Sequence, residues 1–169
     1  MNEIIKTYGL TKKYKNDLSV NNIDMTVREK SIYGFLGPNG AGKSTTLKMI
    51  LGLASSTRGE IDIFGKRLNG KNRIEILKGI GSLIESPSYY GHLTGRENLK
   101  IIQTILDIPE KNIDKVLNIV RLEGQEGKRA DKYSLGMKQR LGIASAMLSF
   151  PRLIILDEPT NGLDPAGIQ

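Results

Sequence analysis

The sequence predicts an α/β fold in which a core carries an antiparallel β flank and an inserted α-helical subdomain. Three observations predict it. A Gly-rich run, Gly37-Pro38-Asn39-Gly40-Ala41-Gly42-Lys43-Ser44-Thr45, lies between a strand-like and a helix-like segment. Apolar residues follow strand patterns towards both ends of the chain and recur at helical spacing between residues 86 and 150. A second apolar run, Leu153-Ile154-Ile155-Leu156, ends in two adjacent acids, Asp157 and Glu158.

Taken in order, Ile4–Tyr8 and Val20–Val27 read as half-buried strands joined through a polar turn at Lys15-Asn16-Asp17, the antiparallel flank. Ser31-Ile32-Tyr33-Gly34-Phe35-Leu36 reads as a short buried strand, and Thr45–Leu51 as the helix after the Gly-rich run. Ser55–Gly59 makes a loop, and Glu60–Gly65 alternates polar with apolar as a one-faced strand does. A short helix around Ile74–Lys78 leads to a strand at Ile80–Ile84 that stops at Glu85-Ser86-Pro87. Thr94-Gly95-Arg96-Glu97 is a capping box opening a helix with Leu99, Ile102 and Leu106 on its apolar side. Ile113, Val116, Leu117 and Val120 mark a second helix. A third starts after Ser134 and runs through Leu141, Ala144 and Leu148 until Pro151 blocks it. The domain expectation is therefore a core of residues 1–85 and 151–169 and a helical subdomain of residues 86–150.

Composition narrows the function. With 169 residues the chain can bury one compact core with a modest insertion. No apolar run approaches the ~20 residues that cross a bilayer, and Met1-Asn2-Glu3 opens without a secretion signal. The absence of cysteine removes disulfides and thiolate metal sites, which suits a cytosolic setting. The net charge of +7 is spread over scattered lysines rather than massed, so it reads as solvated surface and no nucleic-acid partner is expected.

The Gly-rich run fits the P-loop pattern, in which glycines let successive N–H groups point at phosphate oxygens and a helix start presents its positive end to the same anion. Asn39, Gly40, Ala41, Gly42, Lys43, Ser44 and Thr45 are the expected phosphate cradle for ATP, with Lys43 on the β and γ phosphates and Ser44 on Mg²⁺. The expectation is a P-loop NTPase (RecA-like) core.

Further segments, in order and spacing, resemble the ATP-binding subunits of ATP-binding-cassette (ABC) transporters over essentially the whole chain. The resemblance implies that Asp157 holds Mg²⁺ and that Glu158 orients and polarises the attacking water. Asn161-Gly162-Leu163-Asp164 resembles the D-loop, which places Asp164 near the nucleotide of a paired subunit. Tyr133-Ser134-Leu135-Gly136-Met137 stands where the family has its signature; Ser134 and Gly136 match it, and Leu135 and Met137 depart. It implies a head-to-tail homodimer in which Ser134 and Gly136 meet the γ-phosphate held by the other subunit, although Ser134 also reads as a simple helix cap. Tyr14 resembles the aromatic residue that stacks on adenine, or is a plain surface tyrosine.

Glu85 stands where the family has a glutamine that touches Mg²⁺ and the attacking water. An unpaired carboxylate there would repel phosphate by about 4 kcal/mol at ~4 Å and an effective dielectric near 20, so Glu85 either ligates Mg²⁺ or swings away; otherwise it is a solvated loop acid. Glu85 and the varied signature together resemble the branch that exports bacitracin and lantibiotic-type peptides. The resemblance further implies a membrane permease partner and a place on the inner face of the cell membrane; Glu85–Gly95, with Tyr89 and Tyr90, borders the hinge between sheet and helices and is the candidate contact, or equally an ordinary exposed loop. The family's switch histidine lies beyond the D-loop. His92 lies elsewhere and the sequence ends at Gln169, so a C-terminally truncated cassette that binds ATP with little turnover is expected. A soluble ABC ATPase acting on nucleic acid or ribosomes, and a non-catalytic nucleotide-binding fragment, are the competing readings.

Overall fold

The computed structural model of the protein describes residues 2–160, so the D-loop residues Asn161 to Asp164 lie outside the described residues. The chain forms two compact units, residues 1–79 and residues 80–169. The strand ending at residue 83 and the final strand thus group with the helices, whereas the sequence reading assigned both to the core with the flank.

In the first unit, β1 (Glu3–Tyr14) and β2 (Asp17–Arg28) form a hairpin that turns at Lys15, at φ 51°, and Asn16. The strands are longer than the apolar runs suggested. Their polar ends are carried by ladder pairs such as Lys13 with Leu18 and Tyr14 with Asp17. β3 (Arg58–Ile63) pairs antiparallel with β1, and the two-residue β4 (Lys66–Arg67) closes on β3, giving the order β2-β1-β3-β4. One face buries Ile5, Leu10, Val20, Ile61 and Ile63. Thr7 is the polar residue inside this sheet, and both its hydroxyl valences are used: it donates to the Ile23 carbonyl and accepts from the Met25 N–H. α1 (Lys43–Ile50) buries Thr46, Met49 and Ile50, and α2 (Arg73–Leu77) buries Ile76.

Ser31–Leu36 departs from expectation. It forms no strand, and Ile32 and Leu36 are 103% and 91% exposed. A strand exists only through a hydrogen-bonded neighbour. The ladder of this unit runs β2-β1-β3-β4 without the segment, which pairs with none of its strands.

In the second unit, β5 (Ile80–Leu83) and β6 (Leu153–Leu156) run parallel, with Ile80 opposite Leu153 and Leu83 opposite Leu156. Between them in sequence lie α3 (Gly95–Leu106), α4 (Lys111–Ile119) and α5 (Leu135–Met147). Leu99, Ile113, Val116, Leu117, Leu141, Ala144 and Leu148 form their common core. The capping box is complete: the Thr94 hydroxyl accepts from the Glu97 N–H, and the Glu97 carboxylate accepts from the Thr94 N–H. Those bonds hold the Glu97 carboxyl below its ordinary pKa. Two apolar expectations fail. Leu106 is half exposed at the end of α3, and Ile154 is part exposed because a two-stranded pair leaves one face of β6 thinly covered.

Candidate functional site

The expected site residues fall into two groups, one in each unit. In the first, the loop Gly37–Gly42 turns on two positive-φ glycines, Gly40 and Gly42, both at 81°. A Cβ at Gly42 would stand 2.2 Å from the Ser19 carbonyl oxygen of β2, so only glycine lets the chain enter α1 there. α1 then begins at Lys43, and the N–H groups of Lys43, Ser44 and Thr45 are first-turn donors with no carbonyl inside the helix to meet. Thr46, the next residue, is fully buried and donates its N–H and its hydroxyl to the Gly42 carbonyl, which fixes the first turn. The Lys43 ammonium reaches back over the loop and donates to the carbonyls of Gly37 and Pro38 at 2.8 and 2.9 Å. This geometry presents a cation, a row of N–H donors and the positive end of a helix on one loop, the equipment for holding a polyphosphate. Asn39 and Ala41 lie exposed on the same loop, Asn39 and Gly40 at its tip.

Tyr14 belongs to this group. It pairs with Asp17 at the hairpin end, and Ser19, against which Gly42 sits, is two residues further along the same strand. Its ring is 47% exposed, and the Lys12 ammonium lies 4.7 Å from its centroid. An accessible aromatic face beside a phosphate cradle suits a flat base.

In the second unit, the parallel pair brings Glu85, Asp157 and Glu158 to one edge. The Asp157 N–H donates to the Leu83 carbonyl at 2.8 Å, carrying the ladder one step past β6, and its side chain is buried. Leu83 faces Leu156, and two residues on from each stand Glu85 and Glu158, both at positive φ, 64° and 47°. Both strands therefore end by the same left-handed step, uncommon outside glycine and asparagine. Such strain concentrates at functional sites.

Ser134 caps α5, its hydroxyl oxygen accepting from the Met137 N–H at 3.2 Å. Capping uses an acceptor lone pair and leaves the O–H proton for a ligand, so both expected roles are compatible. Gly136 follows in the first turn, and Leu135 is 67% exposed beside them. Met137 packs inward on the helical core.

Sequence reasoning missed three residues. Gln139 on α5 is buried and donates to the Pro159 carbonyl at 3.3 Å, tying the signature helix to the turn that carries Glu158. Gly142, one turn on, leaves room for Pro87 from the loop after Glu85; a Cβ would come within 2.8 Å of it. Asn98 bonds the backbone of the Tyr90–Thr94 loop. A buried polar residue on an apolar helix face was the available signal for Gln139 and Asn98. Of the two loop tyrosines, Tyr89 packs against the helical core and Tyr90 is 56% exposed, so Tyr90 alone is offered outwards.

Among the described residues, no three of His, Cys, Asp or Glu cluster as a metal cage. Mg²⁺ is a hard cation that takes one or two protein oxygens and keeps waters or phosphate oxygens; the Ser44 hydroxyl and the Asp157 carboxylate are donors of that kind.

Residues 20–161 match the ABC transporter family. The chain is 55% identical, over its whole length and 55% of the relative, to the bacitracin transport ATP-binding protein BcrA of Bacillus licheniformis. It is 43% identical to the lantibiotic transport ATP-binding protein SrtF of Streptococcus pyogenes, covering 98% of this chain and 71% of that protein. Among solved structures it resembles the dimeric ATP-binding cassette MJ0796 bound to ADP and Pi, with a TM-score of 0.86 and 26% identity over 97% of this chain and 78% of that one. It also resembles cbiO1 of Clostridium perfringens, part of the ABC transporter complex cbiONQ, with a TM-score of 0.88 and 26% identity over 99% of this chain and 70% of that one. The chain spans about half the length of the curated relatives it matches first.

Proposed function

Given that the chain belongs to the ABC transporter family, we propose that it is the part of an exporter's ATP-binding subunit that binds and hydrolyses ATP to expel bacitracin- or lantibiotic-type peptides through a separate permease. The observation that carries this reading is the Gly37–Thr45 loop, where the Lys43 ammonium is held over the loop carbonyls and the first-turn N–H groups of α1 have no carbonyl partner inside the helix. The likeness to BcrA and SrtF, which are named for bacitracin and lantibiotic transport, supports the substrate class.

In this reading Lys43 exchanges its carbonyl partners for β and γ phosphate oxygens, and Tyr14 stacks on the adenine. Ser44, and separately Asp157 with Glu85, are the oxygen donors that would hold Mg²⁺, which would supply charge neutralisation at the phosphates. Glu158 accepts the proton of the attacking water. Ser134 donates its free O–H, with Gly136 and the start of α5, to the γ-phosphate of a second subunit, and Asp164 approaches the same seam. Among the described residues, no helix is long and apolar enough to cross a membrane. In this reading a separate permease holds the subunit at the inner face of the membrane, and Tyr90 is the residue offered to it.

Calorimetric titration of Mg·ATP into this chain tests the reading. Saturable binding that weakens in Lys43→Ala by about 10–100-fold, the worth of charge-assisted bonds, is expected; equal binding in both chains refutes it. In the full-length protein expressed with its permease, Glu158→Gln should abolish bacitracin tolerance while ATP binding persists.

A further inference from the structure

Asn98 is 6% exposed and spends its whole side chain on one loop. Its Oδ1 accepts from the Tyr90 N–H at 2.7 Å, and its Nδ2 lies within bonding reach of the carbonyls of Tyr90, Leu93 and Thr94 at 3.1, 3.4 and 2.8 Å. A buried amide satisfied only by loop backbone specifies that loop's shape, because any other conformation orphans it. The same loop is laced to the segment that leads into α5. Ala130 and Asp131 donate to the carbonyls of Leu93 and Gly91, Gly95 and Arg96 donate to those of Lys128 and Glu126, and Thr94 bridges Arg129. Tyr133, immediately before Ser134, lays its hydroxyl over Gly95, where a Cβ would stand only 2.2 Å away, and donates to the Gln125 carbonyl. At the far end of this chain of bonds Tyr90 is exposed, with His92 edge-on to its ring at 6.2 Å.

We propose that Asn98 is a positioning residue that locks the Tyr90–Thr94 loop to the segment entering Ser134, so that a load applied at Tyr90 shifts the start of α5. The proposal rests on the reading that this loop meets the membrane subunit, and it adds the device by which that contact reaches the nucleotide seam. A lacing of this kind moves as one piece, so it transmits displacement rather than absorbing it. Asn98 itself bonds only loop backbone, so its loss separates coupling from the affinity that the Lys43 loop gives for nucleotide.

Hydrogen exchange in this chain reads the lock without any partner. In the unaltered protein the amides of Tyr90, Ala130 and Asp131 and that of Met137, which is held by Ser134, should open together with one denaturant dependence. Asn98→Ala should lower protection at these positions by about tenfold, the worth of a net hydrogen bond, and leave Val120 and Leu122, in the turn that closes α4, unchanged. Separate openings in the unaltered chain, or a loss confined to Tyr90, overturn the lock; the first measurement decides even where Asn98→Ala fails to fold. In the full-length protein assembled with its membrane subunit, the same variant should cut partner-stimulated turnover at least about fivefold, with basal turnover and KM for ATP unchanged. A matching fall in basal turnover would reduce Asn98 to a support of the fold. Tyr90→Ala is the separate control: intact stimulation there removes the contact at Tyr90, while the exchange data still judge the lock.

Discussion

Gly40 and Gly42 share a φ of 81° and differ in what a side chain would meet, which makes them a matched pair for testing how the phosphate loop is built. Alanine at either position is forced into left-handed backbone, at about 1–2 kcal/mol. At Gly40 the cost stops there, since nothing lies within 4 Å of the added Cβ. At Gly42 the Cβ would lie 2.2 Å from the Ser19 carbonyl oxygen and 2.9 Å from a Val20 methyl. A backbone carbonyl cannot rotate away, so β2 or the first turn of α1 must move, adding about 1–3 kcal/mol as overpacking does. Gly42→Ala should then melt below Gly40→Ala by roughly 2–12 °C, from about 2–4 °C per kcal/mol for a chain of this size. Displacing α1 also turns its first N–H groups off the loop, so Gly42→Ala should lose Mg·ATP binding in calorimetry while Gly40→Ala keeps most of it. Equal melting points and equal affinities would refute the claim that contact with β2 fixes the helix start.

Glu158→Gln in the full-length protein should retain ATP and lower kcat by about 10²–10⁴, the range attributed to a general base; unchanged turnover would place water activation elsewhere. Gln139→Leu removes the donor to the Pro159 carbonyl, and with the Glu158 turn loosened kcat should fall about tenfold while the Kd for ATP holds, as measured by single-turnover kinetics. Burial raises the Tyr133 hydroxyl above its ordinary value of 10.0. The unfolded chain therefore ionises first, and the stability that the neutral phenol secures is complete below pH about 10 and is lost as pH rises through the folded pKa. Tyr133→Phe should be less stable at neutral pH, having lost its bond to the Gln125 carbonyl, yet show a flatter alkaline limb in denaturant titrations.

The local code was legible wherever one residue type has one physical use. The Gly-Lys-Ser run, the Thr94–Glu97 capping box and the Pro151 stop each appear as the sequence suggests, because positive φ, orphan N–H groups and a missing donor are local demands. Pairing was not legible. Ser-Ile-Tyr-Gly-Phe-Leu is strand-like in composition, but a ladder depends on a neighbour that composition does not name. Lys12-Lys13 lies in β1 against the propensity of lysine because β2 offers ladder partners and the Thr57 hydroxyl accepts from the Lys13 N–H. Among the site residues, the strand-end acids were readable from the run before them, whereas Gln139 and Asn98 answer to carbonyls twenty and eight residues away in sequence.

Ser31–Leu36 has one more consequence, and it concerns handling. Six uncharged residues outside any described ladder, with Ile32, Tyr33 and Leu36 exposed, form a stretch prone to self-association, flanked on one side by Glu29 and Lys30 as charged gatekeepers and on the other by the phosphate loop. Self-association and nucleotide binding then draw on adjoining backbone. Turbidity of a concentrated solution should clear on addition of Mg·ATP and return when the nucleotide is removed, making the colloidal behaviour of the chain a gauge of its occupancy.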